Sequence, residues 1–229
     1  MDAATLVTRF PRLWHMAEDG SWPSIQSKGL LSTSSLLNLY KISGAERSAI
    51  EARHRPQSVP IDYKGLPRAV VRDQKPMSDA ALAKCLRDDL KPEDWYRLLN
   101  SMSFFWLSTD RLFRLLNAKP YRNLAHTVLT VDSASFVKAH HQEIRLCPMN
   151  SGCTKPFPWP RGKDTFLPID EYPYEQRLLK NRKEPVVELA VLNGVFDISR
   201  HTISVHRMQG QKVLEEMYRR PGTGAPVPF

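Results

Sequence analysis

Cysteine is scarce in this chain: 229 residues hold three, Cys85, Cys147 and Cys153. Three thiols at irregular spacing make no disulfide framework, and an odd count points away from an oxidising compartment. A reducing cytoplasm is the expectation. Long apolar runs are also missing. Nothing approaches the roughly 18 consecutive apolar residues of a membrane span, and the opening MDAATLVTRFPRLWH lacks the apolar stretch of a signal peptide. Paired metal-ligand spacings such as C-x2-C are absent, so Cys147 and Cys153, following His140 and His141, do not make a zinc site, and no metal is expected. G-x-G-x-x-G, Walker A, H-E-x-x-H and G-x-S-x-G are all absent. The usual nucleotide, zinc-protease and serine-hydrolase readings lose their main support with them.

What the chain does have is positive charge and enough apolar residues for a core. Lys and Arg number 33 against 24 Asp and Glu, a formal charge of +9. Such an excess favours polyanions such as nucleic acid at long range. The basic residues are scattered, however, and a solvated surface explains them equally well. With 41% hydrophobic residues the chain can bury one core. A single domain is expected over residues 1–215, with a flexible tail over 216–229.

The order of elements predicts an α+β fold with helices early and strands late. RLWHMA (12–17) reads as a strand, and a helix with Pro23 in its first turn follows and stops at Gly29. Residues 53–68 read as a loop. AVVR (69–72), SFFWLS (103–108), HTVLTVD (126–132), EIRLCP (143–148), VVELAV (186–191) and HTISVHR (201–207) read as strands, the last closing the sheet. Without regular βαβ alternation, a mostly antiparallel or mixed sheet is expected. The stretch from Asn150 to Asp164 is long, irregular and rich in Gly and Pro, as binding loops often are.

Three strand positions stand out. Alternation in LWHMA points Leu13, His15 and Ala17 one way and Trp14 and Met16 the other. If the larger side chains fill the core, His15 faces a cleft; otherwise it is a structural hydrogen-bonding group. Glu188 interrupts the apolar PVVELAV, where an ionised carboxylate costs several kcal/mol unless it has a cleft, a partner or solvent. A salt bridge to an arginine is the alternative. In SFFWLS, Phe104 and Trp106 share one face and Phe105 and Leu107 the other, so one pair packs the core and the other is available to a flat ring. The polar run Arg72, Asp73, Gln74 sits at a strand end, where ligand contacts and salt-bridged turns are both common.

The histidine strand followed by W-P-S-I-Q-S-K-G-L-L-S resembles the start of ADP-ribosyltransferase domains, especially DarT-type DNA ADP-ribosyltransferases and their bacterial relatives. V-E-L-A-V-x-x-G-V resembles the late strand that carries their acid. The resemblance implies an ADP-ribosyltransferase-like split sheet, with His15 on a ribose of NAD and Glu188 as the catalytic acid. It also implies an assisting arginine, for which Arg47, Arg53 and Arg72 are available and Arg72 is preferred. Phe105 or Trp106 would stack on nicotinamide, and Ser32, Asn150 and Arg161 would complete the NAD contacts, Arg161 by clamping the pyrophosphate or presenting the acceptor. The implied activity is transfer of ADP-ribose from NAD to a macromolecule, DNA or RNA being preferred to protein, with no membrane partner. Two alternatives stand beside it. One is a module of the same fold that binds NAD, a nucleotide or nucleic acid without turnover, consistent with Ala17 standing where the family usually carries a polar residue. The other is an NAD-dependent RNA 2'-phosphotransferase-like enzyme.

Overall fold

A computed structural model describes residues 1–223. The short helix α1 (Ala3–Arg9) is capped by Asp2, whose carboxylate accepts from the Thr5 N–H, and leads into β1 (Arg12–Glu18). Helix α2 (Trp22–Lys28) has Pro23 in its first turn, where no N–H is required, and Gly29 stops it at φ +92. β2 (Leu30–Leu31), α3 (Thr33–Leu39) and α4 (Gly44–Glu51) follow. β3 (Val59–Ile61) and β4 (Ala69–Val71) pair with each other in a separate small sheet, so part of the expected 53–68 loop is a strand.

Two helices then precede the sheet centre: α5 (Asp79–Ala83), capped by Ser78, and α6 (Pro92–Asn100), which opens on proline. β5 (Met102–Trp106) leads through the Ser108 cap into α7 (Thr109–Leu116). β6 (Ala125–Asp132), α8 (Ser133–His140) and β7 (Ile144–Cys147) follow directly. Beyond a long loop come β8 (Leu167–Pro168), α9 (Tyr174–Lys180), β9 (Glu188–Leu192) and β10 (Gly194–Val195). The described chain finishes with α10 (Ile198–His201), β11 (Thr202–Gln209) and β12 (Lys212–Arg219).

The fold is α+β. Eight strands form one sheet in the order β12-β11-β6-β1-β5-β9-β7-β8, and every adjacent pair in it is antiparallel. The strand 201–207 does not close the sheet, because β12 extends it by another hairpin. The boundary expected at residue 215 therefore falls inside β12; of the tail expected at 216–229, residues 224–229 lie outside the described residues.

Both faces of the sheet are covered. One carries the main core, in which Leu13, Ala17, Phe105, Leu189 and Val191 meet side chains of α1, α2, α8 and α10. On the other, Trp95, Tyr96 and Leu99 of α6 pack on Met102, Cys147 and Ala190, while Leu112 and Leu116 of α7 pack near Met16, Trp14 and Trp106. The larger side chains of β1 do not fill the core alone: helices on both faces leave its small and large residues alike covered.

β10 and β2 fasten the end of β9 to the end of α2, at Gly194 opposite Leu31. Gly194 has φ +100, and a Cβ there would lie 2.5 Å from the Leu30 carbonyl and 2.7 Å from the Ser32 nitrogen, both backbone atoms. Gly194→Ala is expected to cost about 2 kcal/mol or more, because a strained conformation combines with a contact that no side-chain rotation relieves. A thermal unfolding midpoint lower by about 4–8 °C would show it; an unchanged midpoint would mean the turn repacks freely.

Candidate functional site

One row of residues crosses four strands. Trp14 of β1 faces Trp106 of β5, Trp106 faces Glu188 of β9, and Glu188 faces Cys147 of β7. Residues paired across a ladder project from the same face, so the Glu188 carboxylate emerges on the side of α6 and α7. Alternation sends His15 to the other face, with Leu13, Ala17 and Phe105.

The sheet is split at this row. β1 pairs with β6 along its full length, from Arg12 opposite Asp132 to Glu18 opposite His126, yet meets β5 only at Trp14 and Trp106. His15 is the first residue beyond that closed row. It is half-buried, and its Nδ1 lies 2.7 Å from the Phe104 carbonyl, so a side chain replaces the next backbone bond between the separating strands. A carbonyl only accepts, so Nδ1 carries the proton and Nε2 of the neutral ring is an acceptor. Burial lowers the imidazole's pKa to about 4 against the Phe104 bond, and the nearby Arg72 charge lowers it further. The ring is therefore neutral at pH 7.

Glu188 is only 4% exposed. Its Oε2 accepts the Ser151 backbone N–H at 3.1 Å. Burial raises its pKa to about 7, against the Ser151 hydroxyl and N–H and the charges of Arg111 and Arg161. Beside it, burial and then the Glu188 charge push the Cys147 thiol well up, which makes it a poor nucleophile. Arg111 is itself engaged with Glu184 through Nε and Nη2, at 2.6 and 2.5 Å.

The other expected positions divide into those the fold brings to the split and those it does not. Arg72, just beyond β4, lies 3.4 Å through Nη1 from His126 Nδ1, with its guanidinium 5.2 Å from the centre of the Tyr121 ring. Its charge acts on His15 and His126, while the cations acting on Glu188 are Arg111 and Arg161. Arg72, expected as an assisting arginine, thus lies at the His15 end rather than beside Glu188. Of the other arginines considered, Arg47 is tied to Glu51 at 2.7 Å and Arg53 is exposed.

Trp106 is half-buried in the Glu188 row, packed beside Leu112 and Leu116 of α7, whereas Phe105 is 1% exposed and packs edge-on against Phe136, so it is core. Ser32 is buried as the N-cap of α3, its hydroxyl accepting from the Ser35 N–H, and is no ligand contact in this arrangement. Asn150 is half-buried in the segment that brings Ser151 onto Glu188. Arg161 corrects the expectation of a pyrophosphate clamp. It is fully buried, donates to the Ser151, Cys153 and Trp159 carbonyls, and lies 5.6 Å from the Trp95 ring. It binds its own loop together.

His15 and Glu188 do not flank an open groove between adjoining strands: β5 separates β1 from β9, the two side chains start from opposite faces, and Ser151 covers the acid. Two surface hollows of about 270 and 380 Å³ are lined by neither His15 nor Glu188. What survives is closeness in register: the acid's row closes the split and the imidazole occupies its first open position. Sequence reading missed Arg111, Tyr121 and His126. Only His126 left a signal, as a ring near the start of a strand rich in β-branched residues.

No curated protein matches this chain. A family model described as "Family of unknown function (DUF7002)" matches residues 11–202, a span that takes in His15, Arg72, Trp106, the 150–164 loop and Glu188, and the chain belongs to that family.

Proposed function

We propose that the protein is an ADP-ribosyltransferase that uses NAD as substrate and modifies a macromolecule, with nucleic acid preferred. The observation that carries this reading is the split itself, with a neutral histidine in its first open position and a buried acid in the row that closes it. The split sheet is also what the resemblance of the histidine strand and the V-E-L-A-V strand implies.

In the proposed reaction the bond between nicotinamide and ribose breaks, nicotinamide leaves with the electron pair, and an acceptor nucleophile bonds to the same ribose carbon and loses its proton. The sugar develops oxocarbenium character, as in glycoside hydrolysis. An ionised Glu188 holds the ribose hydroxyls and stabilises that charge, and burial strengthens the effect. With the dinucleotide threaded through the opening between β1 and β5, so that it meets side chains of both faces, His15 Nε2 accepts from a hydroxyl of the other ribose, and the half-buried Trp106 lies on the acid's side for nicotinamide. Ligand access requires the Ser151 segment to move away from Glu188.

Preference for nucleic acid rests on the net charge and on the loop that covers the acid. Phe157 and Trp159 on that loop are 72% and 66% exposed, and Lys155 and Lys163 beside them are exposed as well. Exposed aromatic rings among cations suit stacking on unpaired bases.

A binding module without turnover is favoured by one observation, the cover that Ser151 places over Glu188. Incubation with NAD separates the two readings. Transfer predicts nicotinamide release and labelling of single-stranded DNA or RNA from labelled NAD; bound NAD with no release would establish the module instead. His15→Ala is expected to raise the KM for NAD about tenfold with a smaller change in kcat, since a ribose hydrogen bond holds ground and transition states alike. Unchanged kinetics would remove His15 from the site.

A further inference from the structure

On the main-core face, opposite to the side from which Glu188 projects, three side chains from distant parts of the chain converge. His140 is the last residue of α8, Asp197 precedes α10, and His201 ends α10 one helical turn later. His140 Nε2 lies 2.8 Å from Asp197 Oδ1 and His201 Nε2 lies 3.3 Å from Asp197 Oδ2. One ligand atom from each of the three falls within 4.8 Å of the others, the only such His, Cys, Asp or Glu group found among the described residues. Phe136 packs against both imidazoles, with ring centres 5.2 and 5.7 Å away.

We propose that His140, Asp197 and His201 bind one divalent transition-metal ion, and that Zn²⁺ is the ion their donors suit best.

The donor set is two imidazole nitrogens and one carboxylate, a combination that zinc accepts with a fourth position left to water. Bonds of about 2.0–2.1 Å in a tetrahedron place neighbouring ligand atoms roughly 3.3–3.4 Å apart. The three ligand atoms lie within 4.8 Å of one another, with the two imidazoles on different oxygens of Asp197, so small side-chain rotations bring them around one ion.

A second observation is the support behind the ring. Ser135 Oγ lies 3.0 Å from His201 Nδ1, so one ring nitrogen is held by an oxygen of α8 while Nε2 faces Asp197; a hydrogen-bond partner on the far nitrogen is the usual outer support of a metal-bound histidine. Ion access is also provided, since the His140 and Asp197 side chains are 17% and 33% exposed.

Bound metal would cross-link α8 to α10, whose ligands are 57 residues apart in the chain. None of these residues belongs to the proposed NAD site, so the inference stands or falls independently of that function.

The test uses the full chain, stripped with a chelator and titrated with Co²⁺ or Zn²⁺ alone. One equivalent of Co²⁺ is expected to develop visible absorption bands that Zn²⁺ abolishes. Zn²⁺ at about a hundred times its Kd is expected to raise the unfolding midpoint by about 5–10 °C. Because His201 is buried and its replacement endangers folding, the test variants are His140→Gln and Asp197→Asn, each expected to weaken binding at least about tenfold. His141→Gln is the control: its ring lies beside Asp170, at 3.4 Å, and metal affinity should persist. No saturable binding by the wild type, or equal affinity in both test variants, would reduce the trio to a hydrogen-bonded cluster and overturn the proposal.

Discussion

Glu188→Gln is expected to reduce nicotinamide release by a factor of about 10²–10³ while making the protein more stable at pH 8. The kinetic loss follows from removing the negative charge that the proposed transition state requires, with size and shape kept. The stability gain follows from burial. The carboxyl's pKa rises from 4.5 to about 7 on folding, so the folded state holds this proton more tightly than the unfolded chain. Its favourable contribution is complete below pH 4.5 and disappears as the pH rises towards 7. Above pH 7 the buried anion costs on the order of 3 kcal/mol relative to a neutral side chain.

A glutamine, which keeps an acceptor for the Ser151 N–H, should therefore raise the midpoint at pH 8 by about 6–10 °C and leave it nearly unchanged at pH 4. The wild-type rate should climb about tenfold per pH unit up to about pH 7 and then level, since only the ionised acid works. Equal rates for the two proteins would take Glu188 out of the mechanism. Equal midpoints at both pH values would contradict the burial argument separately.

Arg161→Met should lower stability by about 3–5 kcal/mol, a midpoint drop of about 10 °C, although no carboxylate among the described residues is bonded to this arginine. Its guanidinium satisfies three carbonyls of the 150–164 loop from a fully buried position. Methionine retains the apolar stem and withdraws every donor. Arg161→Lys should recover little, since an ammonium cannot reproduce the fork that reaches all three oxygens. The variant also removes a positive charge that favours the Glu188 anion, so the rising limb of the pH–rate profile should move to higher pH. An unchanged midpoint would show that the loop is held by other contacts.

The sequence misled where chemistry depends on which backbone atoms lie nearby. Arg161 follows Trp159 in a loop of prolines and glycines, a context that suggests a ligand contact. Its actual partners are carbonyls of its own loop, which no residue pattern encodes. Ser32 likewise lay in a motif with a family resemblance and proved to be a helix cap. Phe105 and Trp106 were equivalent on alternation alone. The packing of Phe136 from α8 decided that Phe105 is core, while Trp106 lies half-buried on the other face beside α7. His140 stands close in the chain to Cys147 and Cys153, yet the groups it meets are Asp197 and His201, before and at the end of α10.

The sequence by itself determined the α+β class, the positions of most strands, and the choice of His15 and Glu188 as strand-borne polar groups. These depend on period-two alternation, on Pro and Gly punctuation and on the cost of a carboxylate among valines and leucines, all local properties. Tertiary structure alone decided that β5 stands between those two strands, that the sheet opens one residue past the acid's row, and that Ser151 covers the carboxylate. Strand order and loop placement come from the packing of two helical layers on opposite faces, and contacts between residues far apart in the chain leave no periodic trace along it.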